Sequence, residues 1–151
     1  MTTNLEDLAR DIRIYIFRQA AETGRVAQPD TIAGAMNKSR EDVENALRHL
    51  AAGKVLILAP NTANIWAANP FCAVPSGFRV EAAGKSYWGI CIWDSMGIAA
   101  AINKDAVIHA PCGDCGEMLE LEIKTGKLVR GAGVVQFAVP ATRWWDNIGF
   151  T

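Results

Sequence analysis

Apolar positions recur every three or four residues through the first fifty positions and alternate with polar ones in much of the remainder. Leu5, Leu8, Ile12, Tyr15, Ile16 and Ala20 lie on one stripe, the spacing of a helix with one buried face. Gly24 stops it. A short helix is expected through Met36, capped by Asp30 or Thr31. Ser39, with Asp42 three residues on, opens a third helix that Gly53 ends. "VLILAPNTANIW" reads as two short strands about a Pro-Asn turn. Residues 1–68 therefore predict a winged-helix-like helical lobe.

The segment "AANPFCAVPSG" carries two prolines and a glycine and predicts an irregular linker. Beyond it the period is two. "GFRVEAAGKSYWG" reads as two strands across an Ala-Gly turn, "MLELEIKTGKLVR" as two more across a Thr-Gly turn, and "GVVQFAVP" as a further strand. One helix is expected near "WDSMGIAAAINK", beginning near Asp94. The predicted fold is α+β: a helical lobe over 1–68, then a mainly antiparallel β-sheet lobe with one helix over 69–151.

Composition narrows the function. The chain has 151 residues, half of them hydrophobic, which is enough for a real core. Fifteen basic and 16 acidic residues leave a formal net charge of -1, so no global field attracts nucleic acid or an anionic membrane. The third helix sets Arg40 and Arg48 against Glu41, Asp42 and Glu44, which disfavours a DNA-reading role. The amino terminus, "MTTNLEDLARDIR", has no apolar signal core, and no apolar run approaches a bilayer span. A cytoplasmic protein is expected, and its four cysteines, Cys72, Cys91, Cys112 and Cys115, are then reduced thiols: ligands or nucleophiles before disulfides.

Three segments hold candidate chemistry. In "YWGICIWDSMGIAAA", Cys91 and Asp94 stand three apart in an apolar run, on one face if the run is helical. A thiolate is a soft metal ligand, and a carboxyl group in apolar surroundings keeps its proton to higher pH and can donate it. Spacing alone equally fits a buried small residue at 91 and a helix N-cap at 94. In "HAPCGDCGEML", Cys112 and Cys115 form half of a zinc knuckle, whose remaining ligands would come from His109, Cys91 or Cys72. In "VPATRWWDNIGFT", Trp144 and Trp145 would line a pocket or serve as the core and rim of the sheet.

Taken in order, "PFCAVPSGFRV", "SYWGICIWDSMGIAAAI", "CGDCGEMLELEI" and "VVQFAVPATRWWDNIGFT" resemble the alkylmercury lyase (organomercurial lyase) family. The resemblance implies cleavage of a carbon–mercury bond, with Cys91 as first mercury-binding cysteine and catalytic nucleophile, and Asp94 as the acid that protonates the departing carbon. It implies a structural place for Cys112 and assigns none to Cys115, which with Cys112 stays a tentative metal ligand. No resident cofactor is required; mercury is part of the substrate, with zinc as the alternative metal. The implied partners are an organomercurial or mercuric ion and cellular thiols. In the family a second catalytic cysteine directly follows a segment like "WWDNIGFT", where this sequence ends, so the resemblance predicts an incomplete thiol pair and turnover helped by free thiol. The alternatives are a non-catalytic protein binding zinc or another thiophilic metal, and a metal-responsive winged-helix regulator.

Overall fold

A computed structural model of the chain describes residues 4–149. Helices α1 (Leu5–Thr23), α2 (Pro29–Met36) and α3 (Arg40–Ala52) come first. Leu8, Ile12, Ile16 and Ala20 of the α1 stripe are buried and share one core with Ile32, Val43, Leu47 and Leu50. Leu5, at the stripe's open end, is exposed. Ser39 caps α3 reciprocally: its Oγ accepts from the Asp42 amide at 3.1 Å and donates to the Asp42 carboxylate at 2.7 Å. The α2 cap differs from expectation. Gln28 holds the N-cap position, with Pro29 next, so Asp30 and Thr31 lie inside the helix. A proline at the first helical position lacks only an N–H that would have no partner there. The Gln28 side chain instead bridges the Ile65 backbone, donating at 3.0 Å and accepting at 2.9 Å.

Strands β1 (Ile57–Leu58), β2 (Ile65–Ala68) and β3 (Phe71–Cys72) follow as an antiparallel sheet in that order. The expected linker is therefore partly strand: Ala67 pairs with Cys72 and Ala68 with Phe71. Pro70 sits in the turn between them, where no ladder N–H is needed, so it does not prevent the pairing. The second sheet, also antiparallel, contains β4 (Phe78–Ala82), β5 (Lys85–Gly89), β6 (Ala106–Pro111), β7 (Met118–Lys124) and β8 (Lys127–Arg130), in the order β5-β4-β6-β7-β8. Helix α4 (Ile92–Ile102) joins β5 to β6 and packs on β4, β5 and β6. Strand β6 is central yet weakly written in sequence, since its buried positions are Ala106, Ile108 and Ala110.

The strand expected at "GVVQFAVP" does not form. Gly131 and Gly133 adopt φ of 109° and 144°, outside the range of a regular strand, and Val134 is 93% exposed. The segment leads instead to a 3-10 helix over Ala141–Asp146. On α3 the cations are already paired: Arg40 with Asp30 and Glu44, and Arg48 with Glu44. Among the described residues, no helix is long and apolar enough to cross a membrane.

The end of α1 docks on β5. The Tyr87 hydroxyl donates to the Ala21 carbonyl at 2.9 Å, and the Tyr87 ring packs against Phe71 at 6.1 Å between centroids. Gly24 closes α1 at φ 74°, where a Cβ would run into the Ser86 carbonyl. Both the left-handed backbone and this close approach require glycine. Gly24→Ala should destabilise the fold by about 2 kcal/mol or more, measured by urea denaturation. An unchanged midpoint would show that the two parts do not rely on this contact.

Candidate active site

The site is built by a very short connection. Strand β5 ends at Gly89 and α4 begins at Ile92, leaving Ile90 and Cys91 to turn the chain from sheet into helix. A Cβ on Gly89 would stand 2.8 Å from the Ser95 Oγ and 3.0 Å from its amide nitrogen, so only glycine lets strand and helix approach this closely. Fully buried Ser95 donates to the Cys91 carbonyl from its hydroxyl and from its amide, both at 3.0 Å. Ser76 donates to the Gly89 carbonyl at 2.6 Å. The turn is held from both sides, and with it Cys91.

Cys91 occupies the N-cap position of α4, and its extended backbone (φ -143°) ends the strand direction there. Helix α4 thus starts two residues before the expected Asp94. Asp94 is not the cap but a first-turn residue, with its carboxylate back beside the cap. The Cys91 Sγ lies 3.7 Å from Asp94 Oδ2, close enough for the thiol to donate to the carboxylate. Both side chains are half-buried.

Burial sets the protonation of this pair. Loss of hydration pushes the Asp94 carboxyl above the ordinary carboxylate range, and the Cys91 thiol and the Ile90 and Cys91 backbone offset this only in part. Burial likewise raises the Cys91 thiol; the Asp94 charge adds to this, while the Asp94 and Trp93 amides oppose it. A raised carboxyl pKa means that Asp94's favourable contribution to folding is present below about pH 4 and lost as pH rises through its folded pKa. At neutral pH the ionised group is a cost to the fold.

An aromatic wall of Trp93, Phe137 and Trp144 forms at the first turn of α4. Trp93, between Cys91 and Asp94 in sequence, meets Phe137 edge-on at 6.0 Å, and Phe137 packs on Trp144 with the rings tilted at 38° and 4.7 Å between centroids. The Trp144 indole donates to the Val139 carbonyl at 3.0 Å. Trp145 departs from this group, with Lys54 placed 5.9 Å from its ring centre. The two indoles are therefore not the core and rim of a sheet: one joins the wall over α4, and the other faces the helical lobe. Phe150 and Thr151, which end the "WWDNIGFT" segment, lie outside the described residues.

The second cysteine pair is a separate feature. Cys112 and Cys115 sit in the β6–β7 turn, closed by bonds from Cys112 N to the Glu117 carbonyl and from Gly116 N to the Cys112 carbonyl. Cys115 is exposed and Cys112 half-buried. The amides of Cys115 and Asp114 and the neighbouring Cys115 thiol hold the Cys112 thiol below its ordinary range. His109 lies on β6 between Glu81 and Glu120, at 3.8 and 3.6 Å, with its Nε2 buried and lacking a hydrogen-bond partner. Among the described residues, no three His, Cys, Asp or Glu side chains gather as a metal site, so the four-ligand zinc set is not assembled.

These environments predict an order of thiol reactivity. With iodoacetamide at neutral pH, Cys112 should be labelled first, while Cys91 and Cys72 should lag until the pH exceeds the usual thiol range. Peptide mass spectrometry reads the order directly. Cys91 labelled ahead of Cys112 would contradict the burial argument.

Residues 71–151, more than half of the chain, match the model of the alkylmercury lyase family. The chain belongs to the alkylmercury lyase family. The match begins at Phe71 and takes in β3, the Cys91–Asp94 turn and the aromatic wall. The fold is also that of a solved structure described as the mercury-bound form of MerB2, with a TM-score of 0.61 at 17% sequence identity over 84% of this chain. The aligned region is 66% of that protein, so this lyase-family chain spans just under two thirds of its length. No curated protein matches the sequence.

Proposed function

We propose that this alkylmercury lyase family member captures organomercurials through Cys91 and cleaves the carbon–mercury bond by proton transfer from Asp94. The observation that carries the reading is the 3.7 Å pairing of a thiol with a half-buried carboxyl group at the head of α4, within the family-matched part of the chain.

The chemistry follows from softness and burial. Mercury prefers sulfur. Cys91 bonds the metal and displaces the weaker ligand of the organomercurial, which leaves with the thiol proton, so that a sulfur–mercury–carbon unit stands beside Asp94. Burial favours the protonated acid, which is the form that protonates carbon. The carbon–mercury electron pair goes to the new carbon–hydrogen bond, the hydrocarbon leaves, and mercury stays at oxidation state two on sulfur. A free cellular thiol gives its proton to the Asp94 carboxylate and fills the coordination position the carbon vacates; a second one replaces Cys91, returning the proton to its sulfur, and mercuric ion leaves on the two free thiols. No resident cofactor enters the scheme.

Phenylmercury offered at one equivalent to the reduced protein should be recovered on the Cys91 peptide. Cys112→Ser should leave that adduct in place. An adduct found only on Cys112 or Cys115 would move capture to the exposed turn and favour a metal-binding protein over a lyase.

A further inference from the structure

The β6–β7 turn carries two thiols that the mercury chemistry above does not use. Its backbone is closed twice: the Cys112 N–H donates to the Glu117 carbonyl at 2.7 Å, one step past the Pro111–Met118 pair of the ladder, and the Gly116 N–H donates to the Cys112 carbonyl at 2.9 Å. The second bond spans four residues, as in one turn of α-helix. Gly113, Asp114 and Cys115 make that turn, and Gly116 leaves it at φ 76°, the left-handed conformation that sends the chain back toward β7.

A single helical turn sets how far apart the two cysteines stand. With a radius of about 2.3 Å and a rise of about 1.5 Å per residue, Cα atoms three residues apart lie about 5 Å from each other. A disulfide bridges Cα atoms roughly 4.4–6.8 Å apart, so the backbone already has the spacing. Cys112 comes immediately before the turn, as a capping residue does, and its sulfur is acted on by the Cys115 and Asp114 amides and the Cys115 thiol, which favour the thiolate over the opposing burial and Asp114 charge. The pair is also reachable. Cys115 is exposed and Cys112 half-buried, both thiols are free, and a Cβ on Gly113 or Gly116 would meet nothing within 4 Å.

We propose that Cys112 and Cys115 form a dithiol site that reacts with low-molecular-weight disulfides and closes into a reversible bridge. The Cys112 thiolate attacks one sulfur of the small disulfide; that bond breaks, and the other sulfur leaves as a thiol with the proton Cys112 gave up. Cys115 then attacks the Cys112 sulfur, the mixed disulfide breaks, and the second small thiol leaves with the Cys115 proton. Two electrons pass from the two cysteines to the small disulfide, which becomes two thiols. The proposal does not depend on the roles assigned to Cys91 and Asp94.

The test incubates the whole reduced chain at neutral pH with hydroxyethyl disulfide, which is uncharged and so is not repelled by Asp114. Intact mass should fall by two hydrogens, peptide mapping should place the bridge between Cys112 and Cys115, and Cys72 and Cys91 should remain thiols. Dithiothreitol should restore the starting mass. With mercaptoethanol added to about 1 mM, the bridged form should exceed the mixed disulfide by at least about tenfold, because a tethered thiol acts at an effective concentration on the order of 10 mM or more. Cys115→Ser should stop at a stable mixed disulfide on Cys112, since no second thiol can displace it. A mixed disulfide that persists in the parent, a bridge that includes Cys72 or Cys91, or an adduct on Cys115 with Cys112 left free would overturn the proposal.

Discussion

Asp94→Asn should lower the rate of hydrocarbon release from phenylmercury by roughly 10²- to 10⁴-fold, the usual worth of a positioned general acid, while leaving capture of the organomercurial intact. The amide keeps the shape and polarity of the side chain at the first turn of α4 but cannot supply a proton. Stability should move the other way. Burial raises the Asp94 carboxyl, so its ionised form opposes folding at neutral pH, and the amide removes that cost. A gain on the order of 1 kcal/mol is expected at pH 7, vanishing below about pH 4 where the parent carboxyl is protonated in both folded and unfolded chains. Rate, adduct mass and urea midpoints at the two pH values check this. Full turnover in the amide variant would remove Asp94 from the reaction.

Cys91→Ser should remove capture itself. A serine hydroxyl is a hard, weakly acidic ligand and offers mercury little that water does not. Affinity for phenylmercury at this site should fall at least about a hundredfold, ~2.7 kcal/mol, and turnover should disappear with it. The fold should survive, because Cys91 caps α4 without a side-chain capping bond and the turn is held by Ser95, Ser76 and the bare Gly89. Retained binding would place the capturing sulfur elsewhere.

Much of this arrangement is legible in the sequence. The stripe Leu8, Ile12, Ile16 and Ala20, the Ser39–Asp42 capping pair and the two hairpins across Ala83–Gly84 and Thr125–Gly126 are local devices, and local spacing reports them. Cys91 and Asp94 are equally local, three residues apart on one turn. What spacing misses depends on distant partners. Strand β3 exists because β2 offers it a ladder at Ala67 and Ala68, and the prolines around it hide that. "GVVQFAVP" has the composition of a strand, but Gly131 and Gly133 turn its backbone away from β geometry. Pro70 resting on Gly97 brings the turn before β3 against α4, a contact no periodicity records.

The central claim is that a proton is placed on mercury-bound carbon at this site. The measurement that bears on it most directly is release of benzene from phenylmercury in heavy water, with free thiol present, followed by gas chromatography and mass spectrometry. The account predicts benzene carrying one deuterium, released by the parent and not by Cys91→Ser, at a rate cut by Asp94→Asn. Phenylmercury recovered intact from Cys91, with benzene no faster than in protein-free thiol buffer, would contradict it and make the chain a carrier of organomercurials.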